Sequence, residues 1–132
     1  MEIEIFTLCD SAQNYQEKLV IVGTFHTIQS QIIPFTQDSF SIACGIRLDK
    51  NDTAIDYDFE IKFLREDGTK FIPTDVKGKL TPAKNEGNAA YRMINFVVNA
   101  RSIEFTSTGM HFIELLINGK SLKRYPLEIT VR

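Results

Sequence analysis

The sequence has no tryptophan, only two cysteines, and no apolar run that approaches the roughly 18 residues needed to span a bilayer. The first residues, Met-Glu-Ile-Glu-Ile, also lack the basic and apolar regions of a secretory signal. These absences predict a cytoplasmic protein without a membrane partner. In a reducing compartment Cys9 and Cys44 are expected to be free thiols. A Cys9–Cys44 disulfide is the alternative, and it requires that the strands carrying them are correctly facing neighbours.

The sequence also lacks an excess of either charge. Fifteen Lys and Arg residues face seventeen Asp and Glu residues, which leaves a formal charge of −2 at pH 7. Proteins that bind nucleic acid through electrostatics usually have a basic face and a high pI, so no nucleic-acid partner is predicted. A length of 132 residues suits one domain, residues 1–132, with its own core.

Motifs that carry chemistry are absent. The seven glycines are isolated, with no phosphate-binding loop, and no Cys-x-x-Cys or His-Glu-x-x-His spacing occurs. His26 and His111 fall in different predicted strands, so a metal site would need them to converge with a carboxylate or Cys9. Cys9 precedes Asp10 and Ser11, but consecutive strand residues point to opposite faces of a sheet. The sequence therefore predicts no catalytic residue, no metal and no cofactor.

What the sequence does contain is a series of alternating apolar patterns separated by turn residues. Its end is the clearest: an apolar run from Gly109 meets Asn118-Gly119, the dipeptide best suited to a type I′ turn, and a second alternating run follows. Tyr57 to Phe63 is the clearest amphipathic strand. Further strands are predicted over Glu2–Cys9, Lys18–Ile28 (central in character), Ser39–Leu48, Thr69–Ile72, Val76–Leu80 and Ala90–Asn99, with loops over Ser11–Glu17 and Gln29–Gln37.

About eight short strands at near-regular spacing are typical of an all-β sandwich or small barrel. Several strands are apolar on one face only, as in two packed sheets, so an antiparallel β-sandwich is favoured.

Several short motifs, taken in order, also resemble a known family. The pieces Leu-Cys-Asp-Ser-Ala-Gln and Lys-Leu-Val-Ile-Val-Gly correspond to a family pattern of Ala-Asp-Ser-Ala-Gln followed by Gly-Lys-Leu-x-x-Leu-Gly. On them the chain resembles the DUF6941 type, short bacterial and phage-associated proteins of unknown function. The resemblance implies an immunoglobulin-like sandwich and no established activity. It rests on Leu8–Gln13, Lys18–Gly23, Ile33-Pro34, Arg47-Leu48, Phe59–Leu64, Glu66–Gly68 and the segment from Gly109 to Leu127.

Two predicted strands are apolar on both faces, and a two-sheet fold buries only one face of each strand. Phe96, Phe112 and Leu116 carry much of this excess. Either loops such as Pro82–Asn88 cover these side chains, or they form an interface with a second copy or another protein.

Two functions follow as expectations. The favoured one is a non-catalytic binding or assembly module. The alternative is a small-ligand-binding protein or enzyme whose pocket is formed by Asp10, His26 and the loop at residues 29–37.

Overall fold

A computed structural model describes residues 1–83 and 89–132 of the chain. The regular elements within these ranges are all strands. No helix that is long and apolar enough to cross a membrane occurs in the described residues. The strands are β1 (Glu2–Tyr15), β2 (Lys18–Thr24), β3 (Thr27–Ser30), β4 (Phe35–Leu48), β5 (Tyr57–Arg65), β6 (Val76–Leu80), β7 (Arg92–Phe105), β8 (Gly109–Ile117) and β9 (Lys120–Val131).

The strands form two sheets. The first has the order β2-β1-β4-β7 and is antiparallel throughout, and the second has the order β3-β9-β8-β5-β6. In the second sheet β3 runs parallel to β9, whereas the other pairs are antiparallel. The all-β prediction is therefore confirmed, and the parallel β3–β9 pair makes the second sheet mixed rather than purely antiparallel.

Both sheets contribute to one core. Phe105 of the first sheet contacts the His111 ring of the second at a centroid distance of 5.5 Å, and Phe71 packs against both rings. At another point Phe96 of β7 meets Phe59 of β5 at 5.0 Å. The fully buried members of this core include Leu8, Phe40, Ile42, Ile46, Ile61, Phe63, Ile113, Leu115, Leu127 and Ile129.

The predicted loop at Ser11–Glu17 is wrong, because β1 continues to Tyr15. The chain reverses at Gln16 and Glu17, whose φ angles of 49° and 61° are the left-handed values of a type I′ turn. The tip of this hairpin contacts β7, two strands away in the sheet. Asn14 Nδ2 donates to the carbonyl of Asn95, and Asn95 Nδ2 donates to the carbonyl of Glu17, both at 2.9 Å. The first sheet is therefore curled.

The predicted central strand Lys18–Ile28 is also wrong. It is divided at Phe25 and His26 into β2, which is an edge strand of the first sheet, and β3, which belongs to the second. The crossing is fixed from both sides: Phe25 N–H donates to the Leu8 carbonyl, and the His26 carbonyl accepts from Glu128 N–H. Because β3 continues to Ser30 and β4 begins at Phe35, the expected loop at residues 29–37 is shortened to residues 31–34.

The structure also tests the predicted terminal hairpin, the predicted strand Thr69–Ile72 and the state of the two cysteines. The terminal hairpin is confirmed, with φ angles of 50° at Asn118 and 79° at Gly119. The expected strand Thr69–Ile72 is absent, and only an isolated bridge joins Leu64 to Lys70. Both cysteines are free and buried, because Cys9 lies opposite Ser41 on β4 and not opposite Cys44.

Candidate functional site

The three residues expected to form an apolar interface do not share one surface. Phe96 is half-buried and packs against the core through Phe59. Phe112 and Leu116 lie on the outer face of the second sheet, because the residues that alternate with them on β8 point into the core. Phe96 is thus an internal contact between the two sheets.

Phe112 is covered from within its own chain. The guanidinium of Arg124 lies 4.2 Å from the centre of the Phe112 ring, and Arg124 Nε is 3.6 Å from a carboxylate oxygen of Glu114. A cation over an aromatic face is favourable and shields the ring from water. Residues 84–88 of the other expected cover, the loop Pro82–Asn88, lie outside the described residues.

Leu116 borders a shallow cleft of about 420 Å³ beside β6. Its walls are charged: Lys77 Nζ lies 3.8 Å from Glu60, and Lys79 Nζ lies 3.8 Å from Asp58. Exposed pairs of this kind contribute little stability, but they place a row of charge beside the β6 edge. Such an edge disfavours pairing with another strand.

The opposite is found at β2, an edge strand of the first sheet that pairs only with β1 among residues 1–83 and 89–132. Val22 is 58% exposed and Val20 is 40% exposed, and both lie on the same face of the strand. Tyr15, at the end of the neighbouring strand, is also 58% exposed. This surface could not be predicted from the sequence, because an uninterrupted β-branched run is more typical of a central strand.

The backbone of β2 is available as well as its side chains. In a hairpin with a two-residue turn, the residues that flank the turn, here Tyr15 and Lys18, form a hydrogen-bonded pair, and the pattern then alternates along the strands. The N–H and C=O groups of Leu19 and Ile21 therefore point away from β1, whereas Gly23, with a φ of 69°, departs from this alternation.

A second cleft, of about 330 Å³, lies where the chain crosses from the first sheet to the second. Asp10 and Gln37 line it from the first sheet, and Gln29 lines it from β3. The structure thus brings Asp10 together with the segment after residue 28, as the alternative hypothesis expected. His26 lies in the bend between two lining residues, is exposed, and is not itself part of the lining.

The remaining candidate groups are buried. Cys9 is fully buried, its Sγ donates to the Ser41 carbonyl at 3.6 Å, and burial raises the pKa of its thiol. His111 Nδ1 lies 3.0 Å from the Gly109 carbonyl, and burial lowers the pKa of the imidazole. No group of three His, Cys, Asp or Glu side chains that could hold a metal occurs among residues 1–83 and 89–132.

Comparison with known proteins gives one family. The sequence model of DUF6941, a family of unknown function, matches residues 4–130. The chain belongs to the DUF6941 family. No curated protein matches it.

Among solved structures, this DUF6941 chain is similar to the Pseudomonas fluorescens alkylpurine DNA glycosylase AlkC bound to DNA containing an abasic site analog. The identity is 10% and the TM-score 0.49, and the similarity covers 98% of this chain and 30% of that one. The DUF6941 chain therefore spans less than a third of the length of that enzyme.

Two of the segments that carry the resemblance to DUF6941 lie together in the fold. Leu8–Gln13 and Lys18–Gly23 are the two arms of the β1–β2 hairpin and pair with each other. This hairpin provides the free edge of the first sheet and also Asp10 of the second cleft.

Proposed function

We propose that this DUF6941 protein is a non-catalytic assembly module that forms a homodimer by pairing β2 with β2 of a second copy. The observation that carries the proposal is the free edge of β2, which combines unpaired backbone groups with the exposed side chains of Val20 and Val22. An extended strand is the partner that satisfies such an edge, since it continues the ladder of hydrogen bonds.

The sequence of β2 is complementary to itself. In an antiparallel pair centred on Ile21, Leu19 lies opposite Gly23 of the partner subunit, and Ile21 lies opposite its own copy. Leu19 and Ile21 have backbone groups that point outward, so the central pair of Ile21 residues can exchange two hydrogen bonds. Val20 then lies beside Val22 of the partner subunit, a β-branched pair that stabilises antiparallel sheets. A two-fold axis generates this interface from a single strand.

Charge also permits this register. Lys18 is the one charged residue of β2, and it lies opposite Thr24 of the partner subunit rather than opposite another lysine. Like charges directly opposite each other would destabilise the pair. No nucleic acid or membrane is needed for the assembly.

The other edges are less suited to a partner. The β6 edge carries Lys77 and Lys79, and β3 has only four residues. On β7 the Asn95 carbonyl already accepts a hydrogen bond from Asn14. We prefer β2 to the outer face at Phe112, because Arg124 covers that ring.

Three further parts of the proposal rest on the fold and its cysteines. Sheets of four and five strands around one core support an immunoglobulin-like sandwich. Two buried free thiols support a cytoplasmic location. The raised thiol pKa of the buried Cys9 disfavours a nucleophilic role and so supports a non-catalytic protein.

The test uses charge at the two valines. Sedimentation equilibrium should show a dimer for the wild-type protein. A double variant, Val20→Lys with Val22→Lys, should be monomeric and folded, because lysines would face lysines across the axis. The corresponding double glutamate variant should also be monomeric. Mixing the two variants should restore a dimer, since this register places each lysine opposite a glutamate.

The controls distinguish this edge from a general effect of charge. Ile55→Lys with Val131→Lys adds the same charge at two other exposed apolar positions and should leave the dimer intact. Phe112→Glu should do the same. A wild-type protein that stays monomeric at high concentration, or a double lysine variant that stays dimeric, would overturn the proposal.

A further inference from the structure

The cleft at the crossing between the sheets has polar groups that the dimer does not use. It is bounded by β1, β2 and β4 of the first sheet and by β3 of the second, and its volume of about 330 Å³ lies in the range of small-molecule sites. Its floor is open because residue 23 is a glycine with a φ of +69°. A Cβ at this position would collide with the Asp10 carboxylate, so the glycine allows that carboxylate to lie over it.

The Asp10 carboxylate has no hydrogen-bond donor among the described residues of the chain. Both of its oxygens can therefore accept hydrogen bonds from a ligand. Among the described residues it is the only charged side chain in the lining of this cleft, and the nearby Arg132 guanidinium is bonded to Gln29.

The two glutamines each have half of their amide engaged. Gln29 Oε1 accepts from Arg132 Nε at 3.0 Å, which leaves the N–H donors of Gln29 for a ligand. Gln37 Nε2 donates to the Ser39 carbonyl at 3.4 Å, which leaves its Oε1 as an acceptor. The cleft thus offers donor groups from Gln29 and an acceptor from Gln37.

Hydroxyl and apolar groups complete the lining. Thr24 and Thr27 can each donate and accept a hydrogen bond. Phe25 supplies an apolar surface and is held in place, since its carbonyl accepts from the Tyr125 hydroxyl at 2.6 Å and its ring meets Phe40 edge-on at 6.3 Å.

We infer that this cleft binds a sugar, either free or as a unit of a glycan. Neighbouring sugar hydroxyls both donate and accept, which matches the alternation of carboxylate, amide and hydroxyl groups. The C–H face of the ring matches the apolar surface of Phe25. An anionic ligand would be repelled by Asp10, and a simple amine would use the carboxylate alone. The inference does not rest on the proposed dimer, although Gly23 and Thr24 belong to both the cleft and β2.

The inference is tested by titrating the ¹⁵N-labelled full chain with glucose, galactose, mannose and N-acetylglucosamine and following the backbone amide signals. At least one sugar should cause saturable shifts that cluster at Asp10, residues 23–29 and Gln37. Asp10→Asn should weaken binding about tenfold, because a hydrogen bond to a charged group is lost. Gly23→Ala should weaken it by displacing the carboxylate.

The matched control is Asp38→Asn, which removes the same charge from an exposed residue beside Gln37 and should bind as the wild type does. Methyl glycosides that bind as well as free sugars would identify a glycan unit, and weaker binding would identify a free sugar. The double lysine variant of β2 should still bind. Propylamine, a simple amine, is titrated in the same way. The inference is overturned if no sugar gives saturable shifts, if the shifts lie elsewhere, or if only propylamine binds in the cleft.

Discussion

At the scale of single residues, His111 is a titratable group enclosed by the core. Its ring is packed against Phe71 and Phe105, and only Nδ1 has a partner, the Gly109 carbonyl; no described residue bonds to its buried Nε2. Burial lowers the pKa of this imidazole. The folded protein therefore binds a proton at His111 less readily than the unfolded chain does, in which the pKa is about 6.5.

This difference predicts a pH-dependent stability. As the pH falls from about 7 through 6.5, the unfolded chain takes up a proton that the folded state resists, so the free energy of unfolding should decrease. The decrease should level off below the lowered pKa of the folded state. Urea unfolding followed by circular dichroism at a series of pH values measures the slope.

The slope should be smaller in His111→Leu. An unchanged slope in His111→Leu would show that other groups cause the effect. The lowered carboxyl pKa values of Asp52 and Asp75 act at more acidic pH, so they do not obscure this range.

At the scale of elements, the two hairpins use the same backbone geometry with different residues. Gln16 and Glu17 have φ angles of 49° and 61°, close to the 50° and 79° of Asn118 and Gly119. An L-residue in this left-handed region costs about 1–2 kcal/mol, whereas glycine adopts it freely.

Exchanging the residue types at the two turns should therefore change stability in opposite directions. Glu17→Gly should raise the free energy of unfolding by about 1 kcal/mol, and Gly119→Ala should lower it by about as much. The hydrogen bond from Asn95 to residue 17 is accepted by the backbone carbonyl, so it survives the first change. Nothing lies within 4 Å of a Cβ added at Gly119, so the second change tests conformation alone.

Urea denaturation of both variants checks this prediction. Gln13→Gly is the control within the first hairpin, because it puts glycine in an extended strand and should destabilise by about 0.5–1 kcal/mol. A Glu17→Gly variant that is also less stable would contradict the conformational argument.

The turns also explain which hairpin could be predicted. Asn-Gly indicates a type I′ turn by itself, whereas Gln-Glu does not, and the polar residues from Ser11 to Glu17 resemble a loop. The hairpin tip extends away from the main core, so its strands need no buried apolar row. Instead, the two hydrogen bonds between the tip and Asn95 of β7 anchor the hairpin.

At the scale of the whole molecule, the aromatic contacts between the sheets predict one cooperative unit. Phe105 is fully buried and contacts Phe71 and His111, whereas Phe112 is half-buried on the outer face. Phe105→Ala should cost about 3–5 kcal/mol, as expected for a large cavity in a core. Phe112→Ala should cost less than half as much.

Unfolding of both variants and of the wild type should be a single transition. Far-ultraviolet circular dichroism and tyrosine fluorescence should give the same midpoint in urea, because both sheets lose the shared core together. Separate midpoints for the two signals, or equal costs at Phe105 and Phe112, would show that the sheets are not joined in this way.

By itself the sequence determined the β class and the terminal hairpin, because alternation and turn chemistry act over a few neighbouring residues. For the same reason, the alternating residues Tyr57, Ile61 and Phe63 of β5 could be assigned to the face that points into the core. Only the tertiary structure decided where a strand lies in a sheet. The run from Lys18 has the composition of a central strand, but the crossing at Phe25 and His26 makes β2 an edge.

The candidate sites depend on how the two sheets are arranged in the tertiary structure. Asp10, Gln29 and Gln37 are far apart in sequence, and they meet because the chain changes sheets between β2 and β3. Phe96 and Phe112 have similar local patterns, but one faces the opposing sheet and the other faces outward. Local pattern shows that a strand has two faces, and only the packing of the second sheet determines which face is buried.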